Sequence, residues 1–229
     1  MWRPLLVTTA LLFTVQLASA ADWLQFRGPG TTSVSSDANV PTAWSEADTL
    51  AWKISLPGKG LSSPIVVGTK IFVTAASGFS QDRLHVLCFD VKSAKKLWER
   101  QFWATGSTMC HPKTHIAAST PASDGQFIYA LFSTNDVVCL DLDGNLQWLR
   151  GLTVDYPNCR NSLGMASSPL VVGKTLIVQI ENDSQSLAVG LDIATGQNRW
   201  KLDRPISANW ASPALLTGNS PVDTKVLLQ

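Results

Sequence analysis

GLDIATGQNRW, residues 190–200, is the stretch on which the fold turns. A short apolar run leads into Asp192, Thr195 and Gly196, and the phrase ends on Trp200, eight positions after the aspartate. Related phrases stand upstream: CFDVKSAKKLW at 88–98 and CLDLDGNLQW at 139–148. Asp and Gly make turns for different reasons: the carboxylate accepts nearby backbone N–H groups, and glycine takes positive φ without a Cβ clash. Asp90, Asp141 and Asp192 therefore close a hairpin between two strands, and Trp98, Trp148 and Trp200 project from the second strand of each. Their identical place in every copy marks these carboxylates as turn formers, not catalytic acids.

Outward from this phrase the chain is periodic. Trp52, Trp98, Trp148 and Trp200 are separated by 46, 50 and 52 residues. Between them a second marker recurs as SSP (62–64), STP (119–121), SSP (167–169) and ASP (211–213). Runs such as KIFVTAA, LHVLCFD, QFIYALFS, DVVCLDL and TLIVQIE, rich in β-branched and aromatic residues and punctuated by Gly, Asp, Asn and Ser, read as strands. No stretch of about 12 residues beyond residue 20 has a helical period. A period of this length fits a blade of four antiparallel strands. The fold class is all-β, a propeller. An indole buries roughly 150–250 Å², and its place in a ring of blades is the seam with the next blade, where its N–H needs an acceptor.

At 229 residues and 45% apolar composition the chain can bury a substantial core. A formal charge of +1 gives no electrostatic footprint for nucleic acid or an anionic membrane. Residues 1–20 carry Arg3, an apolar run from Leu5 to Val15 and the ending Ala18-Ser19-Ala20. They read as a secretory signal cleaved after Ala20, which places the protein in the periplasm or outside the cell. The run is too short to span a bilayer, and no other apolar stretch of about 20 residues follows. Domain boundaries follow as a signal at 1–20, an N-terminal strap at 21–49 and repeats over 50–229.

The phrase at 190–200 closely resembles the tryptophan-docking motif A-x-D-x-x-T-G-x-x-x-W of the pyrroloquinoline-quinone-like (PQQ-like) β-propeller repeats. These occur in quinoprotein alcohol dehydrogenases and in outer-membrane assembly propeller lipoproteins. DWLQFRGPG at 22–30 is similar to the opening of exported bacterial propellers of this type. The resemblance implies structural docking roles for Trp52, Trp98, Trp148, Trp200, Asp90, Asp141, Asp192 and Gly196. It specifies a fold and leaves activity open, because such propellers include enzymes and scaffolds.

Repeat counting yields about three full blades with partial ones at both ends. Leu50 to Ser55 reads as a fourth strand without its first three, and Ser212 to Gln229 as the first two strands of another blade. A ring of the usual seven or eight blades needs roughly 350 residues or more, so the chain reads as about half a propeller, a fragment or truncated product. Its open ring is expected to self-associate.

The connections from each fourth strand to the next first strand converge on one mouth of the ring. They carry the candidate ligand contacts His111, Lys113, His115, Arg160, Asn161 and Trp210, which offer charge, hydrogen bonds and a stacking surface. His111 and His115 have the spacing of a helical metal pair, but Pro112 disfavours that helix and no constellation completes it, so no metal site is expected. Cys110 and Cys159 occupy equivalent loops and are candidates for a disulfide, whereas Cys88 and Cys139 read as small buried residues. His85, in an apolar strand, reads as structural. Asn182-Asp183-Ser184 is formally a glycosylation acceptor. The expectation is a noncatalytic exported scaffold, with no catalytic residue assigned, that binds a protein, glycan or small ligand at its mouth or edge. The alternative is a fragment of a quinoprotein dehydrogenase using PQQ with calcium, against which stands the lack of the adjacent cysteine pair that such enzymes commonly show.

Overall fold

The computed structural model describes residues 22–36, 41–160, 163–216 and 224–229; the signal segment at 1–20 and Asn161 lie outside them. Three four-stranded antiparallel meanders follow one another among the described residues. The first blade comprises β1 (Ile65–Val67), β2 (Lys70–Ser77), β3 (Arg83–Asp90) and β4 (Lys96–Trp103). The second comprises β5 (Ala122–Ser123), β6 (Phe127–Leu131), β7 (Asp136–Asp141) and β8 (Leu146–Gly151). The third comprises β9 (Leu170–Val172), β10 (Thr175–Ile180), β11 (Ser186–Asp192) and β12 (Asn198–Arg204). A two-stranded unit, β13 (Ala214–Leu216) with β14 (Lys225–Leu227), follows, so the architecture is an incomplete propeller. Among the described residues helix is confined to a 3-10 turn at Pro29–Thr31 and one turn, α1 (Leu152–Asp155).

Period-2 alternation sends side chains of each strand to two seams. Between the first and second blades, Phe72, Leu84, Val86 and Cys88 meet Ile128, Ala130, Val138 and Leu140. The other face of the second blade presents Tyr129, Leu131, Val137 and Cys139 to Leu176, Val178, Leu187 and Val189 of the third. Covered on both faces, β7 is buried along nearly its whole length, which is why DVVCLD is an apolar run with no polar alternation. A smaller cluster of Ala75, Leu87 and Phe89 lies on the first blade's other face, against Ile54.

The segment expected as a lone fourth strand forms no ladder of its own. Residues 50–55 have no strand pairing, and the nearest contact of this kind is one bridge between Lys59 and Ala76. A strand needs a partner edge for its N–H and C=O groups, and the open edge of β1, the strand nearest this segment's end, is taken by Trp23, which bridges Val66.

The strap crosses the inner strands of successive blades. Trp23 exchanges two backbone hydrogen bonds with Val66, Leu24 accepts from the Ser123 N–H at 2.7 Å, and Thr31 Oγ1 accepts from the Leu215 N–H at 2.9 Å. The turn at 25–28 closes with Gly28 at φ 65°, where a Cβ would stand 2.5 Å from the Trp23 indole. Glycine there lets the ring lie flat on the backbone and brings the strap close enough to reach β13.

Candidate functional site

Blade-to-blade registration is set by one contact repeated around the ring. Trp52 Nε1 donates to the Val91 carbonyl at 2.9 Å, Trp98 to Leu142 at 3.0 Å and Trp148 to Ile193 at 2.9 Å. The acceptor is each time the residue after the corner aspartate of the next blade. Each aspartate holds its own corner: Asp90 Oδ1 accepts from Ser93 N, Asp141 Oδ1 from Asp143 N and Asn145 N, and Asp192 Oδ1 from Ala194 N and Thr195 N. The Ser93 hydroxyl and N–H lower the pKa of Asp90. Partial burial pushes that of Asp141 up, but hydrogen bonds from Asn145, Asp143 and Gly144 outweigh it and the net shift is downward. Gly144 at φ 83° and Gly196 at φ 71° each lie beneath the docked indole, 2.7 Å from where a Cβ would stand. Ala94, at φ 57°, fills this corner in the first blade.

Two further latches escaped the sequence reading. Arg100 Nε donates to Gly144 O and Arg150 Nη1 to Gly196 O, both at 2.6 Å, so the arginine two positions after the tryptophan docks on the same corner. The signal was present as W-x-R at 98–100 and 148–150. Around the inner rim, the N–H of Ser63 donates to Thr120 Oγ1, that of Thr120 to Ser168 Oγ and that of Ser168 to Ser212 Oγ, at 2.9–3.0 Å. The recurring S/T-P marker is thus a hydroxyl relay from blade to blade.

At the mouth, the three connections are tied together. His111 N and Thr114 Oγ1 donate to Leu163 O, and Trp210 Nε1 donates to Gly164 O at 2.8 Å. The candidate contacts do not converge on one point. Lys113 and His115 line a groove with Leu56, Gly58, Lys59, Gly60, Leu61, Pro112 and Thr114. His111 accepts from Lys113 N in a local turn, and Trp210 staples two loops. Arg160 lies apart, bordering hollows beside Thr105 and Thr153 and beside Ser184 and Gln185. His115 is buried, and burial, followed by repulsion from Lys59, lowers its pKa.

The anticipated disulfide is not formed. All four cysteines are free thiols: Cys159 donates to Gln185 O from within the core between the second and third blades, whereas Cys110 packs on the core between the first and second. Equivalent loops thus send their sulfurs into different seams. Cys88 and Cys139 stand opposite Trp98 and Trp148 in the β3–β4 and β7–β8 pairs. Burial pushes both thiols up to about 12. His85 bridges Ser77 and Glu99 at 2.7 and 2.9 Å within the first blade. The Asn182 amide is buried and donates to Gln185 O, which withdraws it from glycosylation in the folded protein. Among the described residues no three His, Cys, Asp or Glu side chains gather as a metal site.

The family described as outer membrane protein assembly factor BamB matches residues 16–221. No curated protein matches the chain in sequence. Among solved structures, quinohemoprotein alcohol dehydrogenase from Comamonas testosteroni aligns with a TM-score of 0.59 and 18% identity over 81% of this chain and 28% of its own. A europium-containing methanol dehydrogenase aligns with a TM-score of 0.49 and 20% identity over 67% of this chain and 27% of its own. BamB from Moraxella catarrhalis aligns at 0.47 and 17% over 71% and 45%. The chain spans less than half the length of each, and at 18% identity the likeness to the Comamonas testosteroni enzyme is one of fold.

Proposed function

We propose a noncatalytic binding role for this chain, which belongs to the outer membrane protein assembly factor BamB family. It is an exported scaffold, and its mouth, with the groove around Lys59, Lys113 and His115, receives a protein, glycan or small ligand. The observation that supports this reading is the stapling of the three mouth connections to one another through Leu163, Gly164 and Trp210. Loops held in this way lose little freedom when a ligand arrives, which lowers the entropic cost of binding. Export rests on the signal-like 1–20 segment; no helix among the described residues is long and apolar enough to cross a membrane.

Amide shifts of the labelled 21–229 segment, titrated with short peptides, oligosaccharides and small organic ions, test the reading. Perturbations gathered on residues 104–118, 156–168 and 205–213 support it; perturbations confined to the Asp corners at the opposite end overturn it. Self-association through the face beyond the third blade belongs to the same reading. Sedimentation showing a stable monomer over a wide concentration range would remove that part.

The alternative, a piece of a PQQ-dependent dehydrogenase, has the fold likeness to the Comamonas testosteroni enzyme in its favour. Saturable one-to-one change in quinone absorbance on adding PQQ with calcium would establish it over the binding reading.

A further inference from the structure

The groove at the mouth is selective in its chemistry. Nine residues line an open space of about 500 Å³, and none of them is acidic. Lys59 and Lys113 contribute two ammonium groups, and neither is in an ion pair among the described residues. His115 is 7% exposed and lines the same wall. Its Nδ1 faces the Ala117 N–H at 3.5 Å, which leaves the proton on Nε2, and that N–H has no partner among the described residues. Leu56, Leu61 and Pro112 supply an apolar flank. The cavity beneath the strap is opposite in character: Asp22 and Asp124 line it, with no cation.

From these observations we infer that the groove between residues 56–61 and 112–115 is a site for a small oxyanion on an apolar tail, a carboxylate or phosphate ester, held by Lys59, Lys113 and His115 Nε2–H. This rests on the binding reading above and specifies its ligand. Two ammonium groups and a neutral imidazole donor line one groove with no carboxylate among its lining residues, so an anion entering there gains charge-assisted hydrogen bonds. The His115 Nε2–H, which has no protein partner among the described residues, gains an acceptor. Gly58 and Gly60 hold the wall close: a Cβ at either would run into backbone oxygens of β2, so the segment bearing Lys59 lies directly on the sheet.

The probes are hexanoate, hexyl phosphate and hexanol, titrated into labelled protein at low and high salt. The expected result is saturable shifts at Lys59, Lys113 and His115 with either anion, weakened by salt, and none with hexanol; the tighter anion identifies the source chemistry. Lys59→Gln and Lys113→Gln should each weaken binding by roughly two- to fivefold, with unfolding midpoints unchanged because both side chains are exposed. Equal response to hexanol, or indifference to both substitutions, overturns the inference. Should the anions fail while peptides or oligosaccharides still shift the mouth residues, this inference falls and the binding reading stands; silence from every probe removes both.

Discussion

The seam between the second and third blades and the outer face of the third blade are built from the same motif and behave differently. In the seam, Trp148 is 9% exposed, donates to Ile193 O and lies over Gly196. On the outer face, Trp200 is 38% exposed, and its indole folds back over Gly190 of its own sheet. The surroundings of that face differ as well: buried Gln179 stands where Leu131 stands in the preceding seam, and buried Glu181 is paired to Arg204 at 2.7 Å. Yet Trp200 ends the best copy of the repeat, and Trp148 ends the shortened one. The motif is therefore half of an interaction. It supplies an indole to one neighbour and a corner to the other, and burial follows only where both halves are present.

The sharpest way to break this comparison is to remove each indole in turn. Trp148→Ala should lower unfolding free energy by about 3–5 kcal/mol, through lost area and a cavity in the seam. Trp200→Ala should cost less than about 1 kcal/mol, and equal losses in urea titrations would show that docking does not set the stability of the seam.

Next in size is the corner itself. Gly196→Ala places a Cβ at positive φ and against the Trp148 ring and should destabilise by about 2–3 kcal/mol. Gly173→Ala, also at positive φ but with nothing within 4 Å, should cost only about 1 kcal/mol. A gap between the two thermal midpoints isolates the ring contact from backbone strain.

The relay extends the comparison to the inner rim. Ser168→Ala leaves the buried Thr120 N–H without an acceptor and should cost about 1–2 kcal/mol. Ser212→Ala, at the last link, removes an acceptor that is itself only partly buried, where water can take its place, and should cost less, which amide exchange at Thr120 and Ser168 would register.

The smallest expected effect is on the acid limb. Because the folded-state pKa of Asp141 is lowered, its contribution is complete above the ordinary carboxylate range and is lost as pH falls through the folded value. Asp141→Asn should flatten the stability profile below about pH 4 while leaving the slope near neutrality unchanged, as followed by Trp fluorescence.

Strands, corners and period were legible because they depend on local rules: alternation, turn residues and the recurrence of Trp and S/T-P. Residues 50–55 show the limit, since their alternation suits a strand, but a ladder depends on a partner edge elsewhere in the chain. The mouth was legible only as a set of polar loops. Lys59, which completes the groove with Lys113 and His115, sits in a different repeat segment with no motif around it. Cys110 and Cys159 looked equivalent by position, yet their side chains entered different cores, a choice made by packing rather than by spacing.

By itself, the order of residues determined the sheet content, the hairpin corners, the tryptophan period and the near-neutral charge balance, because each arises from chemistry within a few residues or from composition. Only the tertiary structure decided which indoles are buried, where the strap runs, that the cysteines stay apart and which cations share a groove. These are contacts between segments tens of residues apart, set by how blade faces pack and not by any local pattern.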